Sequence, residues 1–359
     1  MNLSEILQGM VIYGRLLSGL LGVLIVLWTI ISAIKAFITP RGARTNLTRT
    51  IFKTVYFLFE LRVRNANYEK RDQIMALFSP ITLFLYPFVM LNLILVGYML
   101  IYWSLGIDSI YEIFRESGSS LLTLGYASEE GFLFKAVEFS EAMLGLILVA
   151  LLIAYLPTMY AAFSRRETNV LLLESRASSP PSMIDFIART CRNGELEELA
   201  SVWTSWQLWF AELEESHTSL ALLPFFRSPQ PNHSWVTAAG VVLDSASMIL
   251  SAVDIPYNAK APFLIRTGYL SLNRIARFFQ VAHTETPDLT APISISKAEF
   301  FNAFDALAQQ DVPMVADREK AWVDFYGWRI NYDRALLSLA ALTMAPYAEW
   351  VSDRSIIQS

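Results

Sequence analysis

The sequence predicts an all-α membrane protein in which three transmembrane helices are followed by an α-helical cytoplasmic domain. Three uncharged, apolar runs lie at 16–34, 75–105 and 142–163, and each is long enough for the roughly 20 helical residues that cross a bilayer. Of the 359 residues, 54% are hydrophobic and only 17% are charged, whereas a soluble domain averages about 25% charged residues. Later apolar runs are interrupted by charges, which indicates a soluble C-terminal part.

The first apolar run lies between Arg15 and Lys35, whose long side chains can reach the two membrane surfaces. We assign residues 1–39 to an N-terminal transmembrane helix. A cleaved signal peptide is the alternative, but the basic block follows this run instead of preceding it.

A basic linker, residues 40–73, follows the first run. Its cations outnumber its acidic residues, which places it in the cytoplasm by the positive-inside rule. Ile51, Val55 and Phe59 recur at helical spacing between the cations. This pattern is typical of an amphipathic helix on the inner membrane face, with anionic lipid as its expected partner. A plain connecting helix packed on protein is the alternative.

The segment between the second and third runs, residues 106–141, is mainly acidic and is therefore expected outside. The third run ends in Ser164-Arg165-Arg166, which belongs inside. Both charge patterns place the N-terminus outside and the C-terminal domain in the cytoplasm. The compact plan, without an evident eukaryotic targeting signal, favours a bacterial inner membrane.

One short stretch in the acidic segment, residues 119–128, is too polar to cross a bilayer. It contains Thr123-Leu124-Gly125-Tyr126 and follows residues 108–122, which are predicted to form a short helix capped by Asp108 or Ser109. Polar backbone enters a membrane only where protein or water surrounds it, so we expect a re-entrant helix and loop. An extracellular hairpin is the alternative.

This stretch resembles the selectivity filter of potassium channels, in which Thr-Val-Gly-Tyr-Gly loops present carbonyls to a dehydrated ion. Residues 74–166 as a whole resemble the outer helix, pore loop and inner helix of two-span potassium channels. The resemblance implies a re-entrant pore helix between the second and third spans and a homotetramer, because the family closes its pore with four loops. It also implies permeating monovalent cations, chiefly K⁺, with no other metal or cofactor. The implied filter comprises Thr123, Leu124, Gly125, Tyr126 and Ala127.

Three positions depart from the family pattern, the first being Leu122, which replaces the threonine that often precedes the filter. Ala127 stands where the family has glycine, at a cost of about 1 kcal/mol if the same backbone shape is kept. We therefore expect reduced preference for potassium over sodium. Ser128 replaces a mouth aspartate, although Glu129 and Glu130 can restore negative charge at the outer mouth. An ordinary solvated acidic turn is the alternative for these two glutamates.

The third run is expected to line the pore as the inner helix. Gly145 and Pro157 are candidate gate or hinge positions because glycine and proline allow a helix to bend. The alternative is close packing of Gly145 against the pore helix and a passive kink at Pro157.

A linker, 167–182, precedes a helical cytoplasmic domain at 183–359 that is expected to assemble or gate the channel. Trp203, Trp206 and Phe210 share a helix face, which favours core packing over a ligand pocket. The regulatory ligand is left open. Helices are predicted at 195–226, 235–253, 264–281, 297–309 and 318–345.

Several other functions are disfavoured. Cys191 is the single cysteine, the three histidines are scattered, and no nucleophile–base pairing stands out, so we expect neither a structural metal site nor an enzyme. The net charge of −5 does not favour a nucleic-acid partner. The alternative to a channel is a non-conducting, membrane-anchored receptor or scaffold whose helical domain binds a partner.

Overall fold

The computed structural model describes residues 3–39, 46–64, 68–286, 288 and 290–354. Its regular structure consists of helices, with no strand in the described ranges, so the all-α prediction is confirmed. Contacts divide the chain into two units, Met1–Arg64 with Leu77–Tyr160 and Asn65–Ala76 with Ala161–Ser359. The α-helices, in chain order, are α1 (Leu3–Phe37), α2 (Asn46–Val63), α3 (Tyr68–Ala76), α4 (Phe78–Ser104), α5 (Ile110–Leu121), α6 (Phe132–Ala177), α7 (Met183–Arg192), α8 (Ala200–Ser219), α9 (Trp235–Ala252), α10 (Lys260–Phe279), α11 (Lys297–Ala308), α12 (Arg318–Arg329) and α13 (Asp333–Thr343).

Small residues allow α1 and α4 to pack backbone to backbone in the first unit. A Cβ atom placed on Gly22 would lie 2.4 Å from the carbonyl oxygen of Gly97. Nearby, the Ser18 hydroxyl donates to the carbonyl of Leu100 at 2.8 Å. Close approach through glycine, with a hydroxyl bonded to the backbone, is typical of helix pairs in membranes.

Helix α2 packs against the first turns of α4. The hydroxyl of Tyr86 donates to the carbonyl of Thr48 at 3.1 Å. The ring of Phe78 lies edge-on to Phe52 and Tyr56, with centroid distances of 5.4 and 5.7 Å. One side of α2 is therefore held by protein, as the packed-helix alternative requires, while the opposite side is exposed.

Among the residues that the structure describes, four helical segments are long and apolar enough to cross a membrane: Ile6–Phe37, Lys70–Ser104, Phe132–Ala177 and Trp235–Ala252. They differ in how much of their most apolar part is buried inside the protein. That share is 94% for Trp235–Ala252, against 33%, 28% and 17% for the first three. The last segment is thus shielded by its own chain, whereas the others present apolar side chains outward.

Helix α9 forms the centre of the second unit and packs against α7, α10, α12 and α13. Trp203, Trp206, Trp209 and Phe210 of α8 are all buried in the same core. The indole of Trp209 donates to the carbonyl of Arg166 at 3.1 Å. The aromatic face of α8 therefore packs in the core.

Arg329 contributes a fully buried charge to this core. Its guanidinium pairs with Asp244 of α9 and, at 2.7 Å, with Asp333 of α13. It also donates to the carbonyl of Trp350 at 2.7 Å. Burial alone would lower the pKa of Arg329, but the two carboxylates outweigh burial and raise it.

Three differences from the predicted helices lie in the second unit. The single helix predicted at 318–345 is two helices, because Arg329 ends α12 and turns inward while Asp333 starts α13. Helix α6 extends to Ala177, so the first part of the segment expected as a linker is helical. Ser182 then caps α7, a short helix that the periodicity did not predict.

Candidate functional site

Helix α5 has the position and the cap that its sequence predicts. The Ser109 hydroxyl accepts a hydrogen bond from the Glu112 amide at 3.4 Å, which satisfies one free donor of the first turn. One side of α5 is buried, whereas Ile110, Tyr111 and Phe114 are 77%, 66% and 54% exposed. The helix is therefore amphipathic, with an apolar side that its own chain leaves uncovered.

A glutamate of α6 fastens α5 to α4. The Ser117 hydroxyl donates to Glu141 Oε1 at 2.5 Å, and the Tyr102 hydroxyl donates to Glu141 Oε2 at 3.2 Å. Glu141 is fully buried. Because each carboxylate oxygen accepts a hydroxyl from a different helix, the three helices are joined at one point.

Gly145 lets α6 reach the end of α5. A Cβ atom at this position would lie 2.2 Å from the carbonyl oxygen of Leu121. Helix α6 runs without interruption through Gly145 and Pro157. Gly145 therefore packs closely against the end of α5, and Pro157 lies within a continuous helix, while the hinge role of both residues stays a prediction.

The loop leaves α5 through a left-handed turn. The Leu124 amide donates to the Ser119 carbonyl at 2.8 Å, and the Thr123 amide donates to the Ser120 carbonyl at 3.0 Å. This pattern closes helix ends on a residue of positive φ, usually glycine. Here that residue is Thr123, with φ of 55°, and Gly125 has φ of 70°. A β-branched residue in this region is strained by about 1–2 kcal/mol.

Ser119 holds the outer half of the loop. Its hydroxyl oxygen accepts from the amides of Tyr126 and Ala127, both at 3.1 Å. Ala127 is 6% exposed and keeps a negative φ. It therefore does not take the glycine-like conformation that the family resemblance implies.

Two further glutamates surround the end of the loop. The Glu129 amide lies 3.3 Å from Glu116 Oε1 and 3.2 Å from Glu138 Oε1. Lys135 donates to Glu138 at 3.0 Å, and the Ser128 hydroxyl donates to the same carboxylate at 3.3 Å. Burial, followed by the hydrogen bond to Glu138, raises the pKa of Glu116 to about 7.

The side chains of the loop divide into two groups. Leu122, Leu124 and Tyr126 are 58%, 59% and 65% exposed, whereas Ala127 is buried. Of the residues expected at an outer mouth, Ser128 and Glu130 are exposed and Glu129 is half-buried. The structure thus brings the filter positions and outer-mouth positions into one loop.

Sequence reasoning did not single out the residues that hold this loop, namely Glu116, Ser117, Ser119, Glu138 and Glu141. A usable signal was present on α5. Glu116 and Ser119 lie three residues apart, on the side of the helix that faces the core, and buried polar groups require partners.

The histidines remain apart in the structure. His217 is buried, and its ring packs against Trp235 with a centroid distance of 4.6 Å. Burial, with the nearby charge of Arg166, lowers the pKa of His217, so it stays neutral. Across the described ranges, no group of three or more His, Cys, Asp or Glu side chains is arranged to hold a metal ion.

No protein-family model, curated protein or solved structure matches this chain. A functional assignment therefore depends on the residues and their geometry.

Proposed function

We propose that this chain forms a tetrameric, potassium-channel-like cation channel. The observation that carries the proposal is the positive φ at Thr123 and again at Gly125, with a negative φ at Leu124 between them. Alternating left-handed and right-handed residues turn successive carbonyls toward one side of a chain, as an ion filter requires. The loop also starts at the C-terminal end of α5, where the helix dipole favours a cation.

Exposure of the loop supports a tetramer. One loop cannot surround an ion, so a pore needs other copies of the chain. Leu122, Leu124, Tyr126 and the apolar side of α5 are uncovered within a single chain. Assembly around a common axis would bury part of this apolar surface, and burial stabilises association by about 25 cal/mol per Å² before the costs of assembly.

In this proposal α1, α4 and α6 cross the membrane, and α9 remains the core of a cytoplasmic domain. The high burial of α9 supports this division. The basic block near α2 and the acidic segment around α5 orient the chain, with the N-terminus outside and the C-terminal domain inside. A bacterial inner membrane remains the proposed location.

Selectivity for K⁺ over Na⁺ is proposed to be incomplete. The Ala127 carbonyl lies 3.4 Å from the Ser119 hydroxyl and is directed to the protein, so it is not available at the outer end of the filter. A shorter row of carbonyls offers fewer dehydrated sites, and selectivity depends on the number and strength of those dipoles.

The test is the current through protein reconstituted into planar bilayers with unequal KCl and NaCl solutions. We expect cation-selective current with a reversal potential that favours K⁺. Gly125→Asp should abolish the current and leave the oligomer intact, because a side chain at φ of 70° distorts the filter. The matched control is Gly131→Asp, also at positive φ but beyond the filter, and we expect it to conduct. Anion-selective current, or an unchanged current in Gly125→Asp, would contradict the proposal.

One observation favours the alternative, a membrane-anchored receptor or scaffold. Ser119 holds Tyr126 and Ala127 by their amides, which is an arrangement that a closed, non-conducting turn also needs. For this alternative we expect no current from wild-type protein under any ionic gradient and no fourfold assembly in detergent.

A further inference from the structure

The outward side of α2 exposes apolar side chains, although a different side of the helix packs against protein. Phe57, Leu58 and Leu61 are 57%, 58% and 53% exposed, although α2 has a separate, buried side that includes Ile51 and Val55. A helix that contacts only protein on one side and water on the other would place polar residues at the exposed positions. A third environment is therefore needed on the outward side.

Cations lie on the same side of the helix. Arg49, Lys53, Phe57 and Leu61 are spaced four residues apart, so they form one row along α2, and all four are exposed. The row begins with two cations and ends with two apolar residues. Glu60 is the single acidic residue of α2, so the helix has a net positive charge.

The place of α2 in the first unit brings this row to a membrane surface. The helix follows α1 in the chain and packs on the first turns of α4 through Phe78 and Tyr86. If α1 and α4 cross the bilayer, the start of α4 lies at the inner surface, where the charge pattern places basic residues. This step depends on the transmembrane placement in the proposed function, and it does not depend on conduction.

We infer that the outward side of α2 binds the inner membrane surface and selects anionic phospholipid. Phe57, Leu58 and Leu61 enter the boundary between headgroups and acyl chains, as apolar residues of interfacial helices do. Arg49 and Lys53 contact the lipid phosphates, where each cation adds attraction to an anionic surface. A second copy of the chain is a poorer occupant, because the cationic rows of two copies would repel each other.

Lipid bound to α2 is therefore expected to fix the position of the start of α4. Because α2 is fixed to Phe78 and Tyr86, lipid bound to its outer side holds the start of α4 at the membrane surface. The headgroup charge of the membrane thereby acts on the helix that leads to α5 and the loop.

The test uses full-length protein with Cys191→Ser, which removes the single cysteine, and Leu61→Cys labelled with a fluorophore. The protein is reconstituted into vesicles of phosphatidylcholine and phosphatidylglycerol in which one lipid has brominated acyl chains. We expect quenching by brominated lipid and protection from iodide in the buffer. At equal mole fractions, brominated phosphatidylglycerol should bind beside the label about 25-fold more strongly than brominated phosphatidylcholine, because Arg49 and Lys53 each contribute about fivefold at an anionic surface.

Two controls separate lipid binding from general exposure. Val323→Cys, at a position 65% exposed in the second unit, should be quenched by iodide and not by lipid. Lys53→Gln should reduce the preference for phosphatidylglycerol about fivefold, whereas Lys320→Gln, which removes the same charge from an exposed position of α12, should not change it. Iodide quenching at position 61, protection from both quenchers, or equal quenching by the two lipids would each overturn the inference. None of these readouts measures current, so the inference can fail while the proposed channel stands.

Discussion

Both units bury charged side chains, but they neutralise them in different ways. In the second unit the guanidinium of Arg329 lies between two carboxylates, Asp244 and Asp333, so opposite charges are paired directly. In the first unit Glu116, Glu138 and Glu141 are buried with one nearby cation, Lys135, and they accept mainly from hydroxyls and a backbone amide. In the first arrangement each carboxylate has a cationic partner, whereas in the second the carboxylates outnumber the nearby cation.

We call Arg329, Asp244 and Asp333 the paired cluster. We call Glu116, Glu138 and Glu141 the responsive cluster. A buried ion pair with all its hydrogen bonds made fixes the geometry of a core. Glu116 shares the amide of Glu129 with Glu138, and because burial raises the pKa of Glu116 to about 7, its charge depends on the pH. The responsive cluster lies directly beside the candidate filter loop.

The largest effect is expected from breaking the paired cluster. Arg329→Ala leaves Asp244 and Asp333 buried without their partner, which should lower the free energy of unfolding by about 3–5 kcal/mol. Denaturant unfolding followed by tryptophan fluorescence measures this change. Arg334→Ala, at an exposed position of α13, is the control and should change stability by less than about 0.5 kcal/mol. Similar midpoints for the two variants would show that the buried pairing is unimportant.

A smaller effect is expected where the first unit is packed. Gly145→Ala places a methyl group 2.2 Å from the Leu121 carbonyl, so α5 must move, at a cost of about 1–3 kcal/mol. Gly118→Ala is the matched control within α5, because a Cβ there meets no atom within 4 Å. Alanine at that helical site should stabilise by about 0.5–1 kcal/mol. Thermal unfolding in detergent distinguishes the pair, and equal shifts in the same direction would refute the close contact.

The smallest effect is a pH dependence of the responsive cluster. The pKa of Glu116 rises from 4.5 to about 7, so the folded state binds its proton more tightly than the unfolded state does. The stabilising contribution is therefore complete below pH 4.5 and is lost as the pH rises through about 7. Glu138 and Glu129 act directly on this group, and Lys135 pairs with Glu138.

Glu116→Gln should flatten that dependence, because its side chain does not ionise. Glu112→Gln, at a half-buried residue of the same helix that pairs with Arg115, should retain the wild-type profile. Hydrogen exchange of the Glu129 amide reports its hydrogen bond to Glu116. The exchange rate is measured from pH 5 to pH 8 and corrected for the intrinsic rate. A wild-type profile as flat as that of Glu116→Gln would contradict the assignment.

Local signals in the sequence were sufficient for much of the fold. The three apolar runs and the cap at Ser109 depend on composition and near neighbours, and each corresponds to an observed helix or helix end. The break between α12 and α13 was missed because it depends on Arg329 reaching Asp244, which lies in a distant helix.

The support of the candidate loop was missed for a similar reason. Ser119 contacts the amides of Tyr126 and Ala127 only after the loop folds back on α5. Glu141 finds Tyr102 only when α4 and α6 meet. Long-range contacts of this kind have no local pattern, whereas the filter-like residues Thr123 to Tyr126 are contiguous in the sequence.

The most direct test of the account is a density map of the protein reconstituted in K⁺. We expect four copies around one axis, with the carbonyls of the loop between Thr123 and Gly125 directed to that axis and ion density between them. Ala127 should remain turned toward Ser119. A monomer or dimer, or an assembly in which the loops lie at the periphery and enclose no ion density, would contradict the claim that this loop is an ion filter.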